Sequence, residues 1–514
     1  MKYFLMLIQL WVGFLPICAS YPKANIWIIP SVESPQVYRN YAQTSKVHLE
    51  MARGEVEHIQ LVFPSKVNEE YRFTFDRNLK GIQISARELK KMNGYYDALV
   101  PFKNQLKCTD TLTAVWITVQ CPSRVPVGKY HQTIKIEGSK HFTIQLDYNV
   151  HHTTIPLKSS IPITVGVENR CVAEGLNDKE ADKERQRWVD FVLSYRMTPV
   201  FGTQITPERW QYEHSFSPWA WNDKRSIRLL NDRRYSCYML PFFTLSENEL
   251  ASLLCNIQKK GKLKESLFYI WDEPAYMEDY EQIKQKVNII RKYASDARIL
   301  TTFFCGPRNG PRKGDLYAVF DYLKHHIHVA TISLAPCKGN EEEVQHIRYK
   351  VPEGIDWWSY VCWQPGGNEP NFLLQMKGIQ QRAIMWRTWK NGSQGFLYWN
   401  CNIYHKRNPF TYITDMPHGD GILIYPGDIL GRKGPIASAR LERWRDGVEE
   451  MELLRLVEKN YSKEKADTLL NIVYSSPLSF IEKAHNIPFF RKELLDQLDK
   501  TIPIDYKLRI TDFI

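Results

Sequence analysis

Between residues 25 and 155 the chain alternates polar and apolar positions in short runs broken by turn residues, as in His58-Ile59-Gln60-Leu61-Val62-Phe63, Ala114-Val115-Trp116-Ile117-Thr118-Val119 and Thr133-Ile134-Lys135-Ile136. A period of two turns every second side chain to one face, which predicts an antiparallel β-sandwich. Pro156 and Pro162 then flank a short Ser-containing connection, a natural boundary. Beyond it the pattern changes to apolar, strand-like runs at 163–167, 198–202, 238–243, 267–271, 299–304, 329–334, 357–362 and 395–399. Helix-like stretches separate them, among them 182–194, 247–259, 278–294 and 372–390. Eight alternations over roughly 270 residues predict a (β/α)8 barrel, whose functional groups gather at the C-terminal ends of the strands. Residues 437–458 and beyond predict a helical brace. The expected order is a leader at 1–20, a β-sandwich at 21–157, a (β/α)8 TIM barrel at 158–460 and a C-terminal helical extension at 461–514.

Composition adds little to this picture: 514 residues, 43% hydrophobic and 24% charged, suit a folded chain of several domains. Lys2, the apolar run 3–17 and the small residues around Cys18-Ala19-Ser20 predict a cleaved export signal, hence a secreted or periplasmic protein. Gln9 and Pro16 interrupt the run, which disfavours a membrane anchor, and Ile17 is too large for the usual residue before a lipidated cysteine. No later segment is apolar and long enough to span a bilayer. Ten cysteines less Cys18 leave nine, without CxxC spacing, which speaks against a disulfide scaffold or a zinc site; Cys108 and Cys121 flank a strand and can pair or stay free. The +11 net charge is diffuse and carries no nucleic-acid motif. The cluster His325-His326-x-His328 lies where a helix meets a strand, which fits ordinary packing better than a metal site. No metal and no cofactor is expected.

The chemistry concentrates in Phe268-Tyr269-Ile270-Trp271-Asp272-Glu273-Pro274 at the end of the fourth barrel strand. An apolar strand that stops at two adjacent carboxylates is unusual, because desolvating an unpaired carboxylate costs several kcal/mol. A helix-capping Asp beside a solvated Glu is the plainer alternative, but it leaves the neighbouring Glu and the aromatic approach unexplained. Other strand ends carry Trp357-Trp358-Ser359-Tyr360 with Trp363, and Tyr398-Trp399-Asn400, while the loop after strand two carries Trp210, Tyr212, Trp219 and Trp221. Aromatic faces with a few fixed polar partners suit sugar rings. Arg382, Trp386 and Trp389 share a helical face and are expected to pack that helix on the barrel.

These residues resemble glycoside hydrolase family 123, the β-N-acetylgalactosaminidases and their relatives. The resemblance is carried, in order, by Ala52-Arg53-Gly54-Glu55-x-Glu57-x-x-Gln60, Tyr269-x-Trp271-Asp272-Glu273-Pro274, and Arg382-x-x-x-Trp386 with Gly395-Phe396-Leu397-Tyr398-Trp399. Tyr425-Pro426-Gly427 and Arg440-Leu441-Glu442-x-x-Arg445-Asp446-Gly447-x-Glu449 complete it. It implies a retaining, exo-acting hydrolase in which the substrate's own 2-acetamido group is the nucleophile. Glu273 would be the general acid and base, and Asp272 would hold the acetamido N–H. An Asp charge there also helps keep the adjacent Glu protonated. Tyr360 is suited to the acetamido oxygen, and Trp399 to flooring the pocket; Trp271, Trp358 and Asn400 complete the expected sugar contacts. The implied substrate is terminal β-linked N-acetylgalactosamine on glycolipid, glycoprotein or glycosaminoglycan oligosaccharides.

Three rival readings remain. Barrel glycosidases with two carboxylates place Asn-Glu-Pro after strand four and a nucleophilic Glu at strand seven; here Asp272 replaces the Asn, strand seven ends in Ser359-Tyr360, and Asn368-Glu369-Pro370 lies beyond it in a Gly-rich loop. A preference for N-acetylglucosamine would change only the sugar. A non-catalytic glycan-binding protein would be expected to have a damaged acid pair, whereas both members are present.

Overall fold

The computed structural model describes residues 25–76, 79–206, 211–304, 316–404, 408–409 and 418–501; the expected leader and Trp210 lie outside them. The first third folds as two five-stranded sheets whose inner faces share one core, including Leu61, Phe63, Val115, Ile117, Ile134 and Leu146. Alternation along each strand supplies that core, as predicted, but the sheets are not wholly antiparallel: the strand Lys46–Arg53 runs parallel to His141–Thr154. Cys108 and Cys121 are both buried free thiols, and burial pushes the Cys121 thiol up to about 12.

The following region is an α/β domain with eight parallel strands: β1 (Ile163–Glu168), β2 (Thr198–Thr206), β3 (Tyr238–Met239), β4 (Ser266–Trp271), β5 (Arg298–Phe303), β6 (Val329–Ser333), β7 (Asp356–Val361) and β8 (Phe396–Tyr398). All eight expected runs are strands. The ring differs from a regular (β/α)8 barrel at one place: β2 and β3 share no ladder, and a ninth strand, Gln211–Ser215, runs antiparallel along β2. That hairpin strand plugs the gap by polar contacts. The Glu213 carboxylate accepts from the Phe242 and Thr244 N–H groups at 2.8 and 2.7 Å, and Phe216 N–H donates to the Met239 carbonyl at 2.7 Å. The sheet is thus nearly closed.

Helices α1 (Asp178–Ser194), α2 (Glu247–Lys259), α3 (Met277–Arg291), α4 (Leu316–Leu323), α5 (Glu341–Lys350) and α6 (Gly378–Lys390) follow β1, β3, β4, β5, β6 and β7. Arg382, Trp386 and Trp389 do share a face of α6, but they meet α7 (Ala439–Asn460) rather than the sheet. Arg382 pairs with Asp446 at 3.0 Å, and the Trp386 and Trp389 indoles donate to Glu450 and Glu458. Gly447 permits this approach, because a Cβ there would sit 2.3 Å from the Arg382 carbonyl oxygen.

Helix α7 also reaches the sandwich. Val56 N–H donates to Glu449 at 3.0 Å, Arg87 pairs with Glu442 at 2.5 Å, His58 lies 3.1 Å from Glu442, and Arg440 pairs with Asp97 at 2.9 Å. The motifs around Glu55 and Arg445 therefore form a buried joint between the two domains. Helices α8 (Lys463–Leu470) and α9 (Ile487–Asp499) extend it, with Arg491 of α9 pairing with Glu55 and Glu57. Among the described residues no helix is long and apolar enough to cross a membrane.

Candidate active site

The end of β4 is built by a register irregularity. Between Tyr269 and Trp271 the pairing with β5 shifts by a bulge, so Tyr269 faces the barrel interior while Trp271 turns to the helix layer. The Lys286 ammonium of α3 lies 5.2 Å from the Trp271 ring centre. Trp271 thus packs the helix behind the site, not the mouth where a sugar contact was expected. Bulges re-aim side chains next to functional sites.

Asp272 and Glu273 follow at once. The Tyr269 hydroxyl and the Thr302 hydroxyl of β5 both donate to Asp272 Oδ1 at 2.6 Å. Thr302 Oγ1 in turn accepts the Glu273 N–H at 2.9 Å, so one hydroxyl fixes both members of the pair. Glu273 has φ +47°, a left-handed conformation that costs a non-glycine residue roughly 1–2 kcal/mol. Strain of that kind persists where the surroundings dictate it. Asp272 is exposed and Glu273 half-buried at the C-terminal end of β4. Asp279, at the start of α3, receives the Ala275 and Tyr276 N–H groups and pins the chain as it leaves.

Tyr360 of β7 lies in the interior and donates to Glu273 Oε1 at 2.5 Å. The sequence reading pairs it with the acetamido oxygen; in the structure its hydroxyl rests on Glu273. Burial, then Glu273, holds its phenol well above the ordinary range; burial, then Asp272, does the same for Tyr269. Both stay protonated donors. The His214 ring of the hairpin strand stacks on Tyr269 with centroids 4.3 Å apart, so the plug between β2 and β3 also backs the acid pair.

Trp399 is half-buried at the end of β8, and its indole donates to Asp420 at 3.0 Å, beside the Tyr398 hydroxyl at 3.2 Å on the same oxygen. Asp420 is fully buried, its second oxygen has no hydrogen-bond partner, and burial pushes its carboxyl up to about 6. A buried carboxylate that holds both the Tyr398 hydroxyl and the Trp399 indole is a support the sequence did not flag, because Gly419-Asp420-Gly421 looks like a turn. Asn400 is buried and serves the backbone, its side-chain oxygen accepting the Asn402 N–H at 2.9 Å. Trp358 is 1% exposed in the barrel interior, where a Cβ on Gly395 would lie 2.2 Å from its ring. Packing explains Trp358, and the expected sugar contact does not fit its enclosure. Trp219 is likewise buried, donating to Asp182 of α1 at 2.9 Å.

The carboxylates of the rival reading lie elsewhere. Glu369 pairs with Arg387 of α6 at 2.9 Å, and Asp356 begins β7, at the end opposite the acid pair, where it pairs with Arg298. The three histidines do not gather: no metal-binding cluster occurs among the described residues, and His328 Nδ1 accepts the Ile299 N–H at 3.2 Å.

Comparison with known proteins shows the family. No curated protein matches the chain. Among solved structures it is similar to a family 123 glycoside hydrolase from Clostridium perfringens studied for glycolipid glycan hydrolysis: 14% identity, TM-score 0.65, 95% of this chain and 100% of that one covered. A family 2 β-galacturonidase from Eisenbergiella tayi is far less similar, at 9% identity and TM-score 0.33, covering 77% of this chain and 90% of that one. The family model described as the catalytic domain of glycoside hydrolase 123 matches residues 183–457, more than half of the chain and the whole of the acid pair's surroundings. The protein is a glycoside hydrolase, and it belongs to glycoside hydrolase family 123.

Proposed function

We propose that the chain is an exo-acting, retaining hydrolase that releases terminal β-linked N-acetylgalactosamine by substrate-assisted catalysis. The observation that carries this reading is the division of labour at the end of β4. Two hydroxyls hold one oxygen of Asp272, an exposed residue, and neither engages the other oxygen, while Glu273 sits beside it with its own donor, Tyr360. An anchored carboxylate with one free oxygen suits an N–H donor, and a charge-assisted bond of that kind strengthens as the donor becomes positive.

In the first step protonated Glu273 gives its proton to the glycosidic oxygen, the bond to the anomeric carbon breaks, and the acetamido oxygen attacks that carbon. Asp272 stabilises the resulting oxazolinium through its N–H. Glu273, now a carboxylate, takes a proton from water as that water opens the ring, restoring the acid and retaining the anomeric configuration. Trp399 forms a wall of the pocket, held in place by its indole's bond to Asp420. Residues 1–20 support an exported protein acting on glycans outside the cytoplasm. The structural relative's link to glycolipid glycans makes those a reasonable substrate, beside glycoprotein and glycosaminoglycan fragments.

A thiazoline analogue of the cyclised acetamido sugar tests the reading, because sites complementary to a high-energy species bind its mimics about 10² or more times tighter than substrate. Strong inhibition is expected. A fluorosugar trapped covalently on any carboxylate would replace the reading with a two-carboxylate mechanism.

A further inference from the structure

The site described so far holds the terminal sugar; two aromatic residues one step nearer solvent are not used by it. Phe304, the residue after β5 and two past Thr302, packs against the interior cluster, while Trp363 lies two residues beyond the end of β7 and three past Tyr360. Thr302 and Tyr360 are the residues that hold Asp272 and Glu273. Both aromatics lie just past the C-terminal ends of β5 and β7, the strands that carry Thr302 and Tyr360, so the pair stands on the mouth side of the acid pair. The two rings are nearly parallel, 14° apart with centroids 6.0 Å from each other, and Trp363 is 42% exposed. One face of the indole is thus supported by Phe304 while much of the side chain remains open to solvent.

We propose that Trp363, braced by Phe304, is the stacking platform for the sugar ring on the leaving side of the scissile bond. This rests on the assignment of Glu273 as the acid. Its proton goes to the glycosidic oxygen, so the ring bearing that oxygen must lie beside Glu273 and toward solvent, where Trp363 stands. The apolar C–H face of a pyranose suits an exposed indole already held flat by a second ring. The enzyme would accordingly favour oligosaccharide and glycolipid glycans over glycosides with small leaving groups, and the preference would reside largely in KM.

The test compares Trp363→Ala and Trp363→Phe with the unaltered enzyme on two substrates sharing one terminal sugar: its β-fluoride, which has no leaving ring, and a trisaccharide. The quantity read is the ratio of kcat/KM for the trisaccharide to that for the fluoride. It should fall about tenfold or more in the Ala variant, chiefly through the trisaccharide KM, and recover in the Phe variant. An unchanged ratio, including equal losses on both substrates, overturns the platform. Running the same pair with a terminal sugar lacking the acetamido group separates the two ideas. If such sugars are cleaved and the ratio still falls, the platform stands and substrate assistance does not; if they are inert while the ratio falls on the acetamido pair, both stand, and if the ratio is unchanged on the acetamido pair, the platform falls alone.

Discussion

Tyr269 and Asp272 lie three residues apart at the end of one strand, and the Tyr269 phenol turns back to donate to Asp272 Oδ1 at 2.6 Å. The bulge between Tyr269 and Trp271 makes that return possible. With Thr302 donating to the same oxygen, Asp272 is oriented before any substrate arrives.

Tyr269→Phe removes one of these donors while keeping a ring to stack on His214. The expected result is a kcat lowered about tenfold with a nearly unchanged KM, since orientation of Asp272 matters most as the oxazolinium forms. Urea unfolding should move little. A change confined to KM would mean that Tyr269 contacts the ground-state sugar instead.

Glu273→Gln and Asp272→Asn should fail differently. The Gln variant cannot protonate a poor leaving group and should lose about 10²- to 10⁴-fold there, with much smaller losses on activated aryl glycosides. The Asn variant should lose heavily on both, because ring closure is impaired whatever leaves. Kinetics on a nitrophenyl glycoside and an oligosaccharide decide it; equal, small losses in both variants would contradict the assignment.

His58 gives a pH-dependent prediction at the domain joint. Its side chain is fully buried between Glu442, Asp446 and Arg445, and burial pushes the imidazole down to about 4. The unfolded value is about 6.5, so the contribution to stability is complete above that pH and is lost as pH falls toward 4. At pH 5 the loss is about 2 kcal/mol. Glu55, raised to about 8 by burial, works in the opposite sense, so the informative comparison is between the unaltered protein and His58→Gln. The variant should show a shallower fall in urea stability from pH 7 to pH 5; an identical fall would mean that His58 is charged in the folded state.

Much of this was legible in the sequence, for a physical reason. Parallel strands buried on both faces must be apolar runs, and all eight stand out; the acid pair stands out because it interrupts one of them. What was hidden depends on direction and closure. The bulge at Tyr269 decides that Trp271 faces α3, and no period reveals a one-residue shift. Trp358 alternates correctly into the interior, but its depth depends on the missing side chain of Gly395. The gap between β2 and β3 depends on Glu213 meeting two backbone N–H groups from beyond β3, a long-range pairing with no local signature. Asp420 was hidden in a turn for the same reason.

The central claim is that the substrate supplies its own nucleophile. The most direct measurement is the rate on matched aryl β-glycosides of N-acetylgalactosamine, N-acetylglucosamine and galactose. An intramolecular nucleophile in place is worth a very large effective concentration, so the acetamido sugars should exceed galactose by at least about 10³-fold. N-acetylgalactosamine should lead through contacts to its axial 4-hydroxyl. A preference for N-acetylglucosamine would change only the sugar, whereas hydrolysis of the plain galactoside at a comparable or greater rate would contradict the mechanism.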